Sequence, residues 1–342
     1  MTAAPPDPAE DLPRLSPPEI AEAARACFGQ EVLRISAPGG RARDSVRVTL
    51  TDRSIIATQR STRRAFEMER AVLKRLSEAG APVPRYLGHL DSLLFQEDVG
   101  RARLSVQLEK LPEPRKTEIA LAAFQSLWHL KDVARDTGLT DSLPVVAMSN
   151  DWLTPFSDMP AALSRDLGLA PPNLDIEALV GAVLLPPDQF VKWDARPGNA
   201  ALDQTGRVIW FDWEHAGRRG GPEDFAFLAC DEFWPLGADA TLELFARSSP
   251  DVTPTMLRFL VCFTTLQIVQ RFEMILGRVQ RKGWSDPDRA LRYDKIGASP
   301  ALLDRLGAHG ADWASRDERV KPLVDWFPRI TRAIADQAAI EP

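Results

Sequence analysis

Phe190-Val-Lys-Trp-Asp-Ala-Arg-Pro-Gly-Asn199, Ala200-Ala-Leu-Asp-Gln-Thr-Gly206 and Arg207-Val-Ile-Trp-Phe-Asp212 follow one another without a break. Asp203 to Gly206 has turn composition between two strand-like runs, so the runs pair as an antiparallel hairpin. With Leu202 set opposite Arg207, counting outward places Asn199 opposite Trp210, and Asn199 and Asp212 converge at one hairpin end. Asp194 lies five residues before Asn199, on a loop stiffened by Pro197 and opened by Gly198. Two carboxylates and a carboxamide at a strand end suit Mg²⁺, a cation that takes oxygen ligands and bridges to phosphates. One carboxylate remains to orient or deprotonate a hydroxyl.

Working outward, the chain before this stretch reads as a small sheet lobe. Strand-like runs at 31–36, 45–50 and 54–59 surround a Gly39-Gly40 pair and a Thr51-Asp52-Arg53 turn. A helix is predicted over 61–79, since Phe66, Val72, Leu73 and Leu76 recur at helical spacing and Gly80 stops it. Two more runs follow, at 86–90 and 93–96. Beyond about 100 the pattern turns helical, at 119–133, 254–281, 299–307 and 317–338, with short strands near 188–192, 200–202 and 207–212. The Pro-, Asp- and Leu-rich insert at 150–187 is left without an assignment. The expected organisation is a disordered tail at 1–17, an N-terminal nucleotide-binding lobe at 18–98, and a C-terminal catalytic and substrate lobe at 99–342.

Composition narrows the function classes. The 342 residues carry 42 Lys+Arg against 48 Asp+Glu, a net charge of −6 with no basic run, which argues against nucleic acid as partner. Cys27, Cys230 and Cys262 lie too far apart for a zinc site or a disulfide framework and fit a reducing compartment. The Pro-rich, acidic start lacks the basic and apolar regions of a signal peptide. The most apolar stretch, 256–276, is interrupted by Arg258, Gln267, Gln270, Arg271 and Glu273, and reads as a buried helix rather than a bilayer span. The expectation is a cytoplasmic, soluble protein with no membrane partner.

Asp-x-x-x-x-Asn, then a hairpin and an Asp, resembles the catalytic and metal-binding segments of the protein-kinase-like fold. With Ile209-Trp-Phe-Asp-Trp-Glu-His-Ala-Gly217 and Gly221-Pro-Glu-Asp-Phe-Ala226 added, the string resembles the aminoglycoside phosphotransferase/choline kinase-like family. That resemblance implies an α+β, two-lobed protein-kinase-like fold, with a small N-terminal antiparallel sheet lobe and a larger, mainly helical C-terminal lobe. It also implies an ATP- and Mg²⁺-dependent phosphotransferase acting on a hydroxyl of an aminoglycoside, choline or sugar-like molecule. Asp194 would be the catalytic base, Asn199 and Asp212 the Mg²⁺ ligands, and Asp224 a carboxylate that braces the loop. Gly39, Gly40 and Ser45 would lie over the ATP phosphates, and Gln96, Glu97 and Val99 at the hinge that meets the adenine. Lys192, which stands where the family has His, would lie near the acceptor with Glu214, Asp231, Glu232 and Trp234.

Glu69 shares the apolar helix face with Val72, Leu73 and Leu76, where a carboxylate is costly unless paired, so it is the candidate partner for a strand lysine. That lysine is missing. Aligning Ile56-Ala-Thr-Gln59 on the family's strand places Gln59 at its position, and strand alternation turns Arg60 to the opposite face unless a bulge or one-residue slip brings it in. Arg41, Arg43 and Arg63 are the other candidate phosphate partners. Gln59 in place of lysine keeps a rival open: a pseudokinase or nucleotide-binding module that retains the fold without the transfer.

Overall fold

The computed structural model describes residues 11–37, 40 and 44–340. β-Branched residues mark strands β1 (Val32–Ser36), β2 (Ser45–Leu50) and β3 (Ser54–Gln59), while β4 (Tyr86–Leu90) and β5 (Leu93–Glu97) are built from aromatic and Leu residues. They form one antiparallel sheet in the order β1-β2-β3-β5-β4. Helix α1 (Pro17–Phe28) covers one face, where Ile20 and Ala24 pack on Val48, Leu50, Ile55, Ala57 and Phe95. Helix α2 (Arg63–Glu78) covers the other and starts at Thr62, whose Oγ1 accepts the Ala65 N–H at 3.2 Å. Its Phe66, Val72, Leu73 and Leu76 join Leu94 in the main core.

The first residues depart from expectation. Asp11–Ser16, assigned to a disordered tail, instead lies along the end of β3. The Leu12 N–H donates to the Ser61 carbonyl at 2.8 Å, and Leu15 N–H to Gln59 Oε1 at 2.8 Å. Leu12 and Leu15 pack against the two cores, and that burial offsets the cost of ordering the segment.

The chain then crosses into a helical lobe: α3 (Leu104–Lys110), α4 (Glu113–Asp136), α5 (Leu139–Ser142), α6 (Asn150–Asp166) and α7 (Ile176–Ala182). Two short antiparallel pairs follow, β6 (Gln189–Val191) with β9 (Gly217–Arg219) and β7 (Ala200–Leu202) with β8 (Val208–Trp210). The rest is α8 (Glu223–Ala229), α9 (Ala238–Ser248), α10 (Pro254–Lys282), α11 (Pro287–Tyr293), α12 (Pro300–Ala314) and α13 (Trp326–Ile340). Helix α10 is long and apolar enough to cross a membrane, yet 83% of its most apolar window is buried among its neighbours. It is the central pillar of this lobe, with Phe259, Phe263, Leu266 and Phe272 fully enclosed.

The hairpin register differs from the sequence reading by one residue. Leu202 faces Val208 and Ala200 faces Trp210, so Asn199 lies level with Phe211, whose N–H donates to the Asn199 carbonyl at 3.1 Å. The cause is the loop. Asp203 Oδ1 accepts the N–H groups of Thr205 and Arg207, which makes Asp203 and Arg207 the closing pair and lengthens the turn.

Candidate active site

The segment after β6 adopts a backbone that ordinary side chains avoid: Trp193 and Asp194 have φ of 54° and 75°. One buried carboxylate holds it there. Asp224, at the start of α8, accepts the N–H of Lys192 at 3.0 Å and that of Trp193 at 2.9 Å. Lys131 of α4, itself buried, donates to Asp224 Oδ2 and to the Phe190 carbonyl, both at 2.7 Å. Lys131→Met would leave Asp224 buried and uncompensated, and is expected to lower unfolding stability by about 3–5 kcal/mol. Denaturant unfolding checks this, and a loss below about 1 kcal/mol would show that the pair is not what holds the loop.

The strain aims Asp194 outward. Its Oδ1 accepts Arg196 Nε at 2.9 Å and its Oδ2 accepts Asn199 Nδ2 at 2.8 Å, while a third of the side chain stays exposed. Arg196 is the residue the sequence reading missed. Its guanidinium also lies 3.6 Å from Asp294 and 3.7 Å from Asp231, so three carboxylates share one buried cation. Asp294 packs so closely on Gly198 that a Cβ there would overlap its carboxylate, which is why the turn needs glycine.

Asp212 faces this loop, also in a left-handed backbone, with φ of 72°. Its carbonyl accepts Lys192 Nζ at 2.6 Å. Lys192 is fully buried, lies over the Trp213 ring at 5.2 Å, and has its pKa lowered by desolvation. It therefore positions the Asp212 backbone and does not reach an acceptor, contrary to expectation.

The strand cation is Arg60, not Gln59. Ile55, Ala57 and Gln59 point to the α1 side, where Gln59 takes the Leu15 N–H; Arg60 points to the cleft side. Its Nε donates to Glu69 Oε2 at 2.5 Å, one Nη to Asp212 Oδ1 at 2.5 Å and the other to Glu214 Oε1 at 3.0 Å. Glu69, 1% exposed, is thus paired as its apolar face demands. Burial alone would raise the Asp212 pKa, but Arg60 and Lys192 outweigh it and hold this carboxyl below its usual value. Glu214 pairs with Arg60 and does not line the cavity that Asp194 faces.

Of the expected nucleotide contacts, Gly39, Arg41 and Arg43 lie outside the described residues. Gly40 has φ of 95°, which suits glycine, and Ser45 Oγ lies 2.9 Å from Thr58 Oγ1 on the cleft face. Glu97 turns aside to Arg85, whose N–H it accepts at 3.1 Å, and Val99 is half-buried beyond it. Gln96 is buried with its Oε1 unpartnered, in register through Ile56 with Arg47, whose Nη1 is also buried and unpartnered. Arg47 reaches the chain crossing, paired with Asp98 and donating to the Gly100 carbonyl at 3.1 Å.

Asp194 opens on a cavity of about 730 Å³ with aromatic walls at Trp152, Trp193 and Phe227. Asp231, Glu232 and Trp234, expected at the acceptor, do not line it. They border a separate cavity of about 270 Å³. Glu232 is spent on Arg271, at 2.8 Å, and on the Gly297 N–H; Trp234 stacks on Phe124 and donates to Thr241 at 3.0 Å. Their role is to build the wall. Burial, helped by Glu232, pushes the Asp231 carboxyl up from 3.8 to about 6. Between those values the folded protein holds a proton that the unfolded chain releases, so this group's contribution to stability falls as pH rises through that window. Asp231→Asn is expected to flatten the dependence of Tm on pH between about 4 and 6, and a curve parallel to the parent's would refute the assignment.

Among the described residues no three His, Cys, Asp or Glu side chains cluster as a metal cage. The donor set suits a cation shared with phosphate oxygens. Asn199 spends its amide nitrogen on Asp194, which leaves its oxygen as the acceptor end, and Asp212 supplies a carboxylate nearby.

No family model and no curated protein matches the chain. Solved structures do. The chain is similar to aminoglycoside 2'-phosphotransferase-IIIa in its GDP complex, at TM-score 0.56 and 15% identity over 86% of this chain and 98% of that one. Spectinomycin phosphotransferase with ADP and spectinomycin gives 0.56 and 9%, over 86% and 98%. A choline kinase from Cryptosporidium parvum gives 0.51 and 12%, over 87% and 93%. At such identities the likeness is one of fold: the chain has the two-lobed kinase-like fold of aminoglycoside phosphotransferases and choline kinases.

Proposed function

We propose that the protein is a small-molecule kinase that moves the γ-phosphoryl group of ATP to a hydroxyl. The observation that carries this reading is the three-way contact of Arg60 with Glu69, Asp212 and Glu214, set across from an Asp194 held by Asn199 and Arg196. Arg60 supplies the strand charge that Gln59 lacks, so the absent lysine no longer argues for a retired site.

In the mechanism, Asp194 accepts a hydrogen bond from the acceptor hydroxyl and takes its proton as the oxygen attacks the γ-phosphorus. The bond to the β,γ-bridging oxygen breaks, and ADP leaves with that electron pair. Arg60 fixes Asp212 and brings positive charge to the side of the crevice where the phosphates would lie, and Gln96 on β5 would lie near the base. Asn199 and Asp212 would hold Mg²⁺, which when bound neutralises charge on the phosphate oxygens. Catalysis then rests on positioning and electrostatics, which the buried, ion-paired frame provides without reorganising.

The test is incubation of the purified chain with Mg-ATP and a panel of hydroxylated metabolites and antibiotics, followed by mass spectrometry. A product heavier by one phosphoryl group, with ADP formed in equal amount, is expected. Nucleotide binding without any phosphorylated product across the panel would return the protein to the pseudokinase reading.

A further inference from the structure

We infer that the acceptor is an anion: a hydroxylated compound with an apolar body and a carboxylate or phosphate group. This rests on the kinase reading and concerns the cavity that Asp194 faces. Two carboxylates line that cavity, Asp194 and Asp294. Both are ion-paired, Asp194 with Arg196 at 2.9 Å and Asp294 with Arg196 at 3.6 Å and Arg103 at 3.4 Å, with Arg196 shared between them. Arg271, also in the lining, is spent on Glu232 and Asp231 behind the wall.

Three cations remain. Arg278 and Lys282 follow Met274 at successive turns along one face of α10, and Lys295 comes from the segment after α11. None of the three forms an ion pair among the described residues. Arg278 donates to the Gly283 carbonyl at 2.8 Å, which fixes its stem while its charge stays unmatched. The protein carries a net charge of −6, so this local excess of positive charge opposes the overall balance. A cationic acceptor would have to enter against it, whereas an anion is drawn in.

The rest of the lining is mainly apolar, with His215, Gln267 and Gln270 as its polar members. Trp193 sits edge-on to Trp152 at 5.8 Å and to Phe227 at 5.2 Å. Arg219 lies beneath both indoles, at 5.0 and 5.3 Å, and locks them. Met274 is 49% exposed, a large apolar side chain left facing the cavity. Rigid aromatic walls with a cationic rim match a ligand with a ring or alkyl body and a charged end.

The experiment is titration calorimetry of the full chain, first with Mg-ADP and then, at saturating Mg-ADP, with three probes. Tropate has a phenyl ring, a primary hydroxyl and a carboxylate; 2-phenylglycinol has the same ring and hydroxyl with an ammonium; 4-hydroxyphenyl phosphate carries a phosphate monoester. At least one anionic probe is expected to bind about tenfold more tightly than 2-phenylglycinol, and the two anions between them separate a carboxylate site from a phosphate site. The double variant Arg278→Glu/Lys282→Glu is expected to erase that preference. Equal or tighter binding of 2-phenylglycinol, no anion binding at about 10 mM, or a preference unchanged in the double variant would each overturn the inference. Failure of Mg-ADP to bind would overturn the kinase reading itself, a distinct result.

Discussion

Asp194→Asn is expected to cut phosphoryl transfer by about a thousandfold while nucleotide affinity stays within about threefold of the parent. The carboxamide keeps the shape of the side chain and can still accept from Asn199 or Arg196, so the loop has no reason to collapse. What it loses is the ability to take a proton. A positioned base contributes about 10²–10⁴ in rate, and the frame that remains accounts for the residual turnover. Steady-state kinetics with ATP varied separate the two quantities. A parent-like kcat would remove Asp194 from the chemistry altogether.

The second large effect concerns Arg60. Arg60→Ala strips the partner from Glu69, Asp212 and Glu214 at once, and Glu69 is fully enclosed. Leaving buried carboxylates unpaired costs about 3–5 kcal/mol, so the variant should unfold earlier and lose measurable Mg-nucleotide binding. Arg60→Lys keeps one positive charge but not the planar fork that reaches three acceptors, and should fall between the parent and Arg60→Ala. Gln59→Ala should behave like the parent in nucleotide affinity, because its side chain serves the N-terminal segment and not the crevice. The reverse ranking, with Gln59→Ala inactive and Arg60→Ala tolerated, would restore the assignment that strand alignment suggests.

That one-residue error shows where the sequence was legible and where it was not. Strands at 45–50 and 54–59 are marked by β-branched residues and the turn between them, and the structure places them at those bounds. Alternation does not say which side of β3 faces the crevice, however. Both sides are covered, one by α1 and one by α2, so Ile55, Ile56 and Ala57 are apolar on either reading. The hairpin slipped by one for a similar reason, since only Asp203's side-chain bonds reveal the extra loop residue. The insert hid two helices because Pro155 and Pro160 sit inside α6, where prolines normally argue against a helix.

Asp194, Asn199 and Asp212 are candidates that the sequence offers through their spacing together with the flanking strings, and the structure brings Asn199 onto Asp194. Their supports were not legible there. Lys131 with Asp224, and Arg196 with Asp294, are long-range pairs whose members look like ordinary surface charges until the fold encloses them. The acceptor residues Glu214, Asp231, Glu232 and Trp234 failed because each is consumed by an internal partner. Polar residues close in sequence to a site are as often its masonry as its contacts.

The strap at Asp11–Ser16 has a practical edge. It grips Gln59, Ser61 and Thr62, the residues on either side of Arg60. A short segment of this kind, ahead of the first helix, is easily trimmed or replaced with a purification handle. Here such trimming would loosen the footing of the crevice's central guanidinium, so weak nucleotide binding by a shortened chain would report on the trimming. Handles belong at the other terminus.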